Sequence, residues 1–223
     1  MDCAEILERL RSLSNPDNVK GMGRFGISTQ NTLGVSMPEL RKVAKEIGKH
    51  HDLAQQLWKS GIHEAKIVAG IIDEPGLVTE KQMDAWVKDF DSWDVCDQVC
   101  MNLFDKTSFA YKKAVEWSSR QEEFVKRAAF ALMASLAVHD RKAEDEAFLK
   151  LLPIIKREST DERNFVRKAV NWALRQIGKR NKDLLGEAIK TAKEIQTLES
   201  KSARWIASDA LREFKTKQLR TQE

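Results

Sequence analysis

The stretch 161–181, DERNFVRKAVNWALRQIGKRN, constrains the fold more than any other part of the chain. Read as a helix, it places Val166, Ala169, Val170, Ala173, Leu174 and Ile177 at i, i+3, i+4, i+7, i+8 and i+11, which makes one apolar stripe. Lys168, Trp172, Arg175 and Lys179 make a second stripe at i, i+4, i+7 and i+11. The first stripe already supplies a buried face, so core packing does not require an indole on the second. Cations suit phosphates, and an indole offers a π-face to a base or sugar. The same residues also suit the edge of a core, with Trp172 set between solvated Lys and Arg stems.

At 223 residues the chain can bury a large core. No apolar run approaches the ~20 residues of a membrane span, and acidic residues at 2, 5 and 8 interrupt the N-terminal apolar pattern. A cytoplasmic protein is therefore expected. Cys3, Cys96 and Cys100 form no disulfide framework, and Cys96 and Cys100, one helical turn apart, read as reduced packing thiols. HEAKI at 63–67 lacks the second His of a zinc motif, and His50 and His51 stand alone, so no metal or other cofactor is expected. The net charge of +4 permits a nucleic-acid partner without demanding one. Its placement says more, because no acid interrupts the cations between Glu162 and Asp183.

Helical periodicity dominates, and strand signals are nearly absent. A helix over 3–13 leads into a glycine-rich connector, GMGRFGISTQNTLGVS. Pro38 then opens a helix in MPELRKVAKEIGKH, with Ser36 as its cap. Further helices are predicted at 51–60, 62–72, 79–90, 92–104, 108–119, 121–139, 143–158, 162–180, 182–196 and 200–217. Related patterns begin at 63, 93, 125, 166 and 203, in the second helix of successive pairs, at separations of 30, 32, 41 and 37 residues. That spacing suits a two-helix repeat. The expectation is an all-α solenoid of stacked helix pairs whose second helices line a concave basic face. It would be one domain over 1–223, with the N-terminal helix and connector in 1–36 and the repeats in 37–217.

Those second helices carry the candidate chemistry. In SWDVCDQVCMNLF, Trp93 and Asp97 are four residues apart and share a helix face. A carboxylate on an otherwise apolar strip is costly to desolvate unless a cation or hydrogen bond meets it. Arg127 is a candidate partner, at the lip of an apolar run that makes its helix buried nearly all round. An ion pair between repeats is the bland reading. A carboxylate kept ionised between the indoles of Trp93 and Trp172 is the functional one, and the two are compatible.

Four segments carry a resemblance to a known family. They are MGRF followed by LGVSMPELRK, then SWDVCD, then VKRAAF, then FVRKAVNWALRQIGKRN, the last being the most specific. Together they resemble the DNA-alkylation-repair family of AlkD-like glycosylases, which are HEAT-like helical-repeat proteins. In that family a W-x-x-x-D pair, an Arg and a Trp line the catalytic cleft, and Trp93, Asp97, Arg127 and Trp172 match them here. Phe25 and Ser36 stand where the family carries a Tyr and a Gln near the DNA.

The resemblance implies a monomer that excises positively charged N3- or N7-alkylated purines from duplex DNA without flipping the base. Asp97 would stabilise the oxocarbenium-like sugar and position water. Trp93 and Trp172 would contact the lesion's deoxyribose, each aromatic–cation contact contributing roughly 0.5–2 kcal/mol. Arg127 would hold a phosphate, and Lys168, Arg175, Lys179 and Arg180 would track the backbone in salt-sensitive binding. The competing class is a non-catalytic helical-repeat module that binds nucleic acid or protein through the same face.

Overall fold

The computed structural model describes residues 1–220, with side chains described as far as Thr216. The last three residues of the expected domain, 221–223, lie outside the described residues. The described residues contain helices and no strand, in two compact units, Met1–Thr107 and Ser108–Glu223. None of these helices is long and apolar enough to cross a membrane.

Unit 1 begins with α1 (Cys3–Ser12) and α2 (Pro16–Arg24), followed by α3 (Met37–Ile47), α4 (His51–Lys59) and α5 (His63–Ile72). It ends with α6 (Glu80–Trp86) and α7 (Trp93–Asn102), each followed by a single 3-10 turn. α2 falls where the sequence reads as a connector, because Gly21 and Gly23 look like breakers. Its start is nonetheless well specified. The Asn15 side chain accepts from the Asp17 and Asn18 amides, and Pro16 occupies the first turn. α5 packs on α4 on one side and on α7 on the other. Behind it, Trp58 of α4 stacks on Trp86 of α6 with centroids 3.9 Å apart, and the Trp58 indole donates to Asp89 at 2.9 Å.

Unit 2 contains α8 (Ala110–Ser118), α9 (Glu123–His139), α10 (Asp145–Leu149), α11 (Leu152–Glu158), α12 (Asn164–Lys179), α13 (Lys182–Gln196) and α14 (Lys201–Arg220). The helix expected over 143–158 is two short ones, α10 and α11. They break at Lys150 and Leu151, ahead of the proline in the first turn of α11. α9 is buried continuously over 125–137 and packs on α8 and α12. The apolar stripe expected in 161–181 is real: Val166, Ala169, Val170, Ala173, Leu174 and Ile177 are all fully buried. α14 buries its own stripe of Ala203, Ile206, Ala207, Ala210 and Phe214, and packs on α12 and α13. Within each unit, then, the second helices of successive pairs lie against one another, as the repeat spacing implies.

The contact between α12 and α14 depends on a glycine. A Cβ at Gly178 would stand 2.6 Å from two ring carbons of Phe214 and 2.9 Å from the Ala188 Cβ. In an exposed helix Gly→Ala is stabilising by about 1 kcal/mol. Gly178→Ala is instead expected to lower stability by about 1–3 kcal/mol through overpacking, read as a fall in the urea midpoint at constant slope.

Candidate nucleic-acid interface

In unit 1 the candidate residues gather at the start of α7. Three consecutive residues tie that start to other segments. The Ser92 hydroxyl accepts from the Ser28 amide at 2.8 Å, the Trp93 indole N–H donates to the Phe25 carbonyl at 3.2 Å, and Asp94 meets His63 Nε2 at 2.8 Å. Two of these ties reach the connector and one reaches α5. Asp97 follows Trp93 one turn later, and both are half-buried on the same face of α7. Cys96 and Cys100 face inward as packing thiols, fully buried and not joined in a disulfide. Burial pushes the Cys100 thiol well up, with Cys96 and the carboxylates of Asp97 and Asp105 adding to it.

The connector itself is held by one carboxylate. Glu64, only 1% exposed, accepts from the amides of Leu33, Gly34 and Val35 at 2.9, 2.6 and 3.3 Å. Gly34 has φ +77°, and a Cβ there would stand 2.2 Å from the Asn15 carbonyl oxygen, so only glycine fits. The folded connector shapes a groove of about 480 Å³ walled by Met22, Phe25, Ile27, Met37, Leu40 and Trp93, with Ser36, Glu64, Asp94 and Gln98 among its polar groups. Phe25 is 72% exposed. Ser36 stands at the cap position of α3, yet its hydroxyl makes no capping bond. Phe25, Ser36 and Trp93 thus share one groove. Glu64 and the His63–Asp94 pair, which hold two of its sides, were not singled out from the sequence. The signal for the pair was present, since His63 and Trp93 open equivalent helices of successive repeats.

Unit 2 carries the remaining candidate residues, on α9 and α12, which pack against each other. Arg127 is 6% exposed and donates from Nη1 to the Phe165 carbonyl at 2.6 Å, which ties α9 to the first turn of α12. Beside it, Lys126 pairs with Glu158 at 2.7 Å and with Asp161 at 3.3 Å. Trp172 is partly exposed. In the amide orientation that satisfies its neighbours, Gln176 accepts from the Trp172 indole at 3.0 Å and from Lys179 at 3.2 Å.

The cations expected to track phosphates divide. Lys168 is exposed. Arg175 pairs with Asp209 at 3.2 Å and Glu213 at 2.9 Å, and Lys179 pairs with Glu213 at 2.8 Å. Arg180 donates to the carbonyls of Ala137 and Ala143 at 3.1 and 2.9 Å, and its guanidinium lies 4.2 Å from the Phe148 centroid. Asp209 and Glu213 are one turn apart on α14, more than thirty residues after the cations they meet. A reading of the basic block on its own does not reveal them.

Stacked helix pairs of this kind place the molecule among the HEAT-like helical-repeat proteins. Eight solved chains match it significantly. One of them has a TM-score of 0.79 at 20% identity, over 95% of each chain, and is described as a new family of proteins related to the HEAT-like repeat DNA glycosylases with affinity for branched DNA structures. At that identity the likeness establishes the fold. The sequence over residues 6–214 matches the family model for the DNA alkylation repair enzyme, and the chain belongs to that family. No curated protein matches significantly.

The His63–Asp94 pair gives a test of how α7 is held. Burial opposes protonation of His63, but the hydrogen bond and charge of Asp94, with Glu64 and Asp91 nearby, outweigh it, and the pKa is raised. The stability this adds is complete below the unfolded value of about 6.5 and fades as pH rises through the higher folded value. The melting-temperature gap between wild type and His63→Gln should therefore be widest near about pH 6 and narrow toward about pH 8. A gap that widens with pH would contradict the pairing.

Proposed function

We propose that the protein is a DNA glycosylase that releases N3- or N7-alkylated purines from duplex DNA. The observation that carries this reading is family membership over residues 6–214, joined to an acid and an indole, Asp97 and Trp93, held half-exposed on one face of α7. An alkylated purine already carries positive charge, so it leaves without a strong general acid. The C1′–N bond breaks, and its electron pair goes to the purine and neutralises that charge. Asp97 stabilises the positive charge left on the sugar, orients water toward C1′ and takes up the proton that water gives up.

Trp93 and Trp172 pack against the deoxyribose, and their π-faces favour the cationic base. Arg127 contributes charge beside the phosphodiester, with one nitrogen already committed to the Phe165 carbonyl. Phe25 and Ser36 contact DNA from the unit 1 groove, in place of the Tyr and Gln that the resemblance leads one to expect. Lys168 contributes directly to phosphate binding. Arg175, Lys179 and Arg180 contribute after partial release from the acids and carbonyls they meet in the free protein. On this reading the protein acts as a cytoplasmic monomer without a cofactor, and the base is not flipped into a pocket.

A second reading, a DNA-binding protein without excision, is favoured by one observation. The structural neighbour is described by its affinity for branched DNA. The two readings separate in one assay. Methylated duplex is incubated with the protein and the freed bases are identified. On the enzyme reading wild type releases methylated purine, and Asp97→Asn reduces release to background while duplex affinity stays within about twofold. A wild type that binds duplex and frees no base would leave the second reading standing.

A further inference from the structure

Among the described residues, the aromatic side chains left exposed are Phe25 and Trp205. Phe25 belongs to the groove above. Trp205, 39% exposed, has no part in the roles assigned so far. It stands off the buried stripe of α14, so packing does not account for it. The guanidinium of Arg167 lies over its ring, 5.1 Å from the centroid, and donates from Nη2 to Asn164 at 3.2 Å. The Arg167 Nε is buried without a hydrogen-bond partner.

The charges around this indole differ from those farther along the same two helices. Arg175 and Lys179 are matched by Asp209 and Glu213. Among the described residues no carboxylate lies within ion-pair distance of Arg167, Lys168, Lys201 or Arg204. The acid beside them is Glu162, which accepts from Ser200 and the Ser202 amide at the start of α14 and whose pKa the charge of Lys201 helps to lower. Lys168, Lys201 and Arg204 are exposed, and Lys201 and Arg204 precede Trp205 on α14 by four residues and one residue. The surface therefore offers four cations against the single carboxylate of Glu162, near an indole that a guanidinium already holds in place.

We propose that Trp205 and Arg167 form a stacking platform for an unpaired base, and that Lys168, Lys201 and Arg204 hold the phosphates of the same single strand. A polyanion is required by the charges, and an exposed planar face by the indole. Duplex DNA satisfies the first and hides its base faces in the stack. An acidic peptide satisfies the first and gives the indole no planar partner. Single-stranded DNA satisfies both, with charge tracking the backbone and an aromatic ring receiving a base. The platform rests on the DNA-binding part of the function proposed above and is independent of base excision.

The test uses the full chain and a labelled oligothymidylate, which has no secondary structure, with binding read by fluorescence anisotropy. Wild type is expected to bind it with an affinity that falls as salt rises. Trp205→Ala is expected to weaken binding about tenfold or more, and Trp205→Phe by less. Bound strand should also quench indole emission in wild type, and that component should vanish in Trp205→Phe, which serves as the readout if the alanine variant folds poorly. Three results would overturn the platform. They are no binding by wild type, an unchanged affinity and quench in the Trp205 variants, or displacement of the strand by polyglutamate at equal charge concentration. Base release is scored separately. Binding through Trp205 without release sinks only the excision reading, and release without any effect of Trp205 on strand binding sinks only the platform.

Discussion

Unit 2 is organised around the burial of α9. Residues 125–137 are shielded from solvent on every side, and five of them are alanines, which lets α8 and α12 approach closely. A helix buried all round leaves no room for charge along its length, so charge collects at its first turns. Lys126 and Arg127 sit there, and both need partners because removing a charge from water is costly. Glu158 and Asp161 meet the lysine, and the Phe165 carbonyl meets the arginine. Burial resists ionisation of Asp161, yet the hydrogen bonds from Arg163 and Lys126 hold its pKa below the usual value. The turn between α11 and α12 is therefore fixed by the charges of α9, and the direction of α12 follows from it.

The same economy governs the basic stretch of α12. In one-dimensional form its cations look like a continuous track. In the fold, Arg163 closes on Asp161, Arg175 and Lys179 close on acids of α14, and Arg180 fastens the loop before α10. What remains open to a polyanion is concentrated near the first half of α12. The net charge of the chain thus understates how unevenly accessible that charge is.

Much of the architecture could be read directly from residue order, because burial writes itself into spacing. The stripe from Val166 to Ile177, the continuous burial of α9 and the ties between successive second helices all follow from period and repeat length. α2 escaped because two glycines outweighed an Asn-Pro start that the tertiary structure supports. The split between α10 and α11 escaped because apolar spacing continues across the break. Among the site residues, Trp93 and Asp97 were legible as a pair one turn apart. The partners of Arg175 and Lys179 were not, since contacts between helices thirty or more residues apart leave no local trace. Trp205 was visible within a repeat pattern, but its exposure could be known only once the buried face of α14 was fixed.

The connector between α2 and α3 behaves like an anion-binding nest whose anion is supplied from within the chain. Three successive amides converge on the Glu64 carboxylate, and the groove lined by Phe25 and Ser36 takes its form from that convergence. The form of the groove at this end of the molecule is thereby set by a lining carboxylate that is itself only 1% exposed. Variation at Glu64 would release three amides at once, so the groove could be reshaped with Phe25, Ser36 and Trp93 all intact.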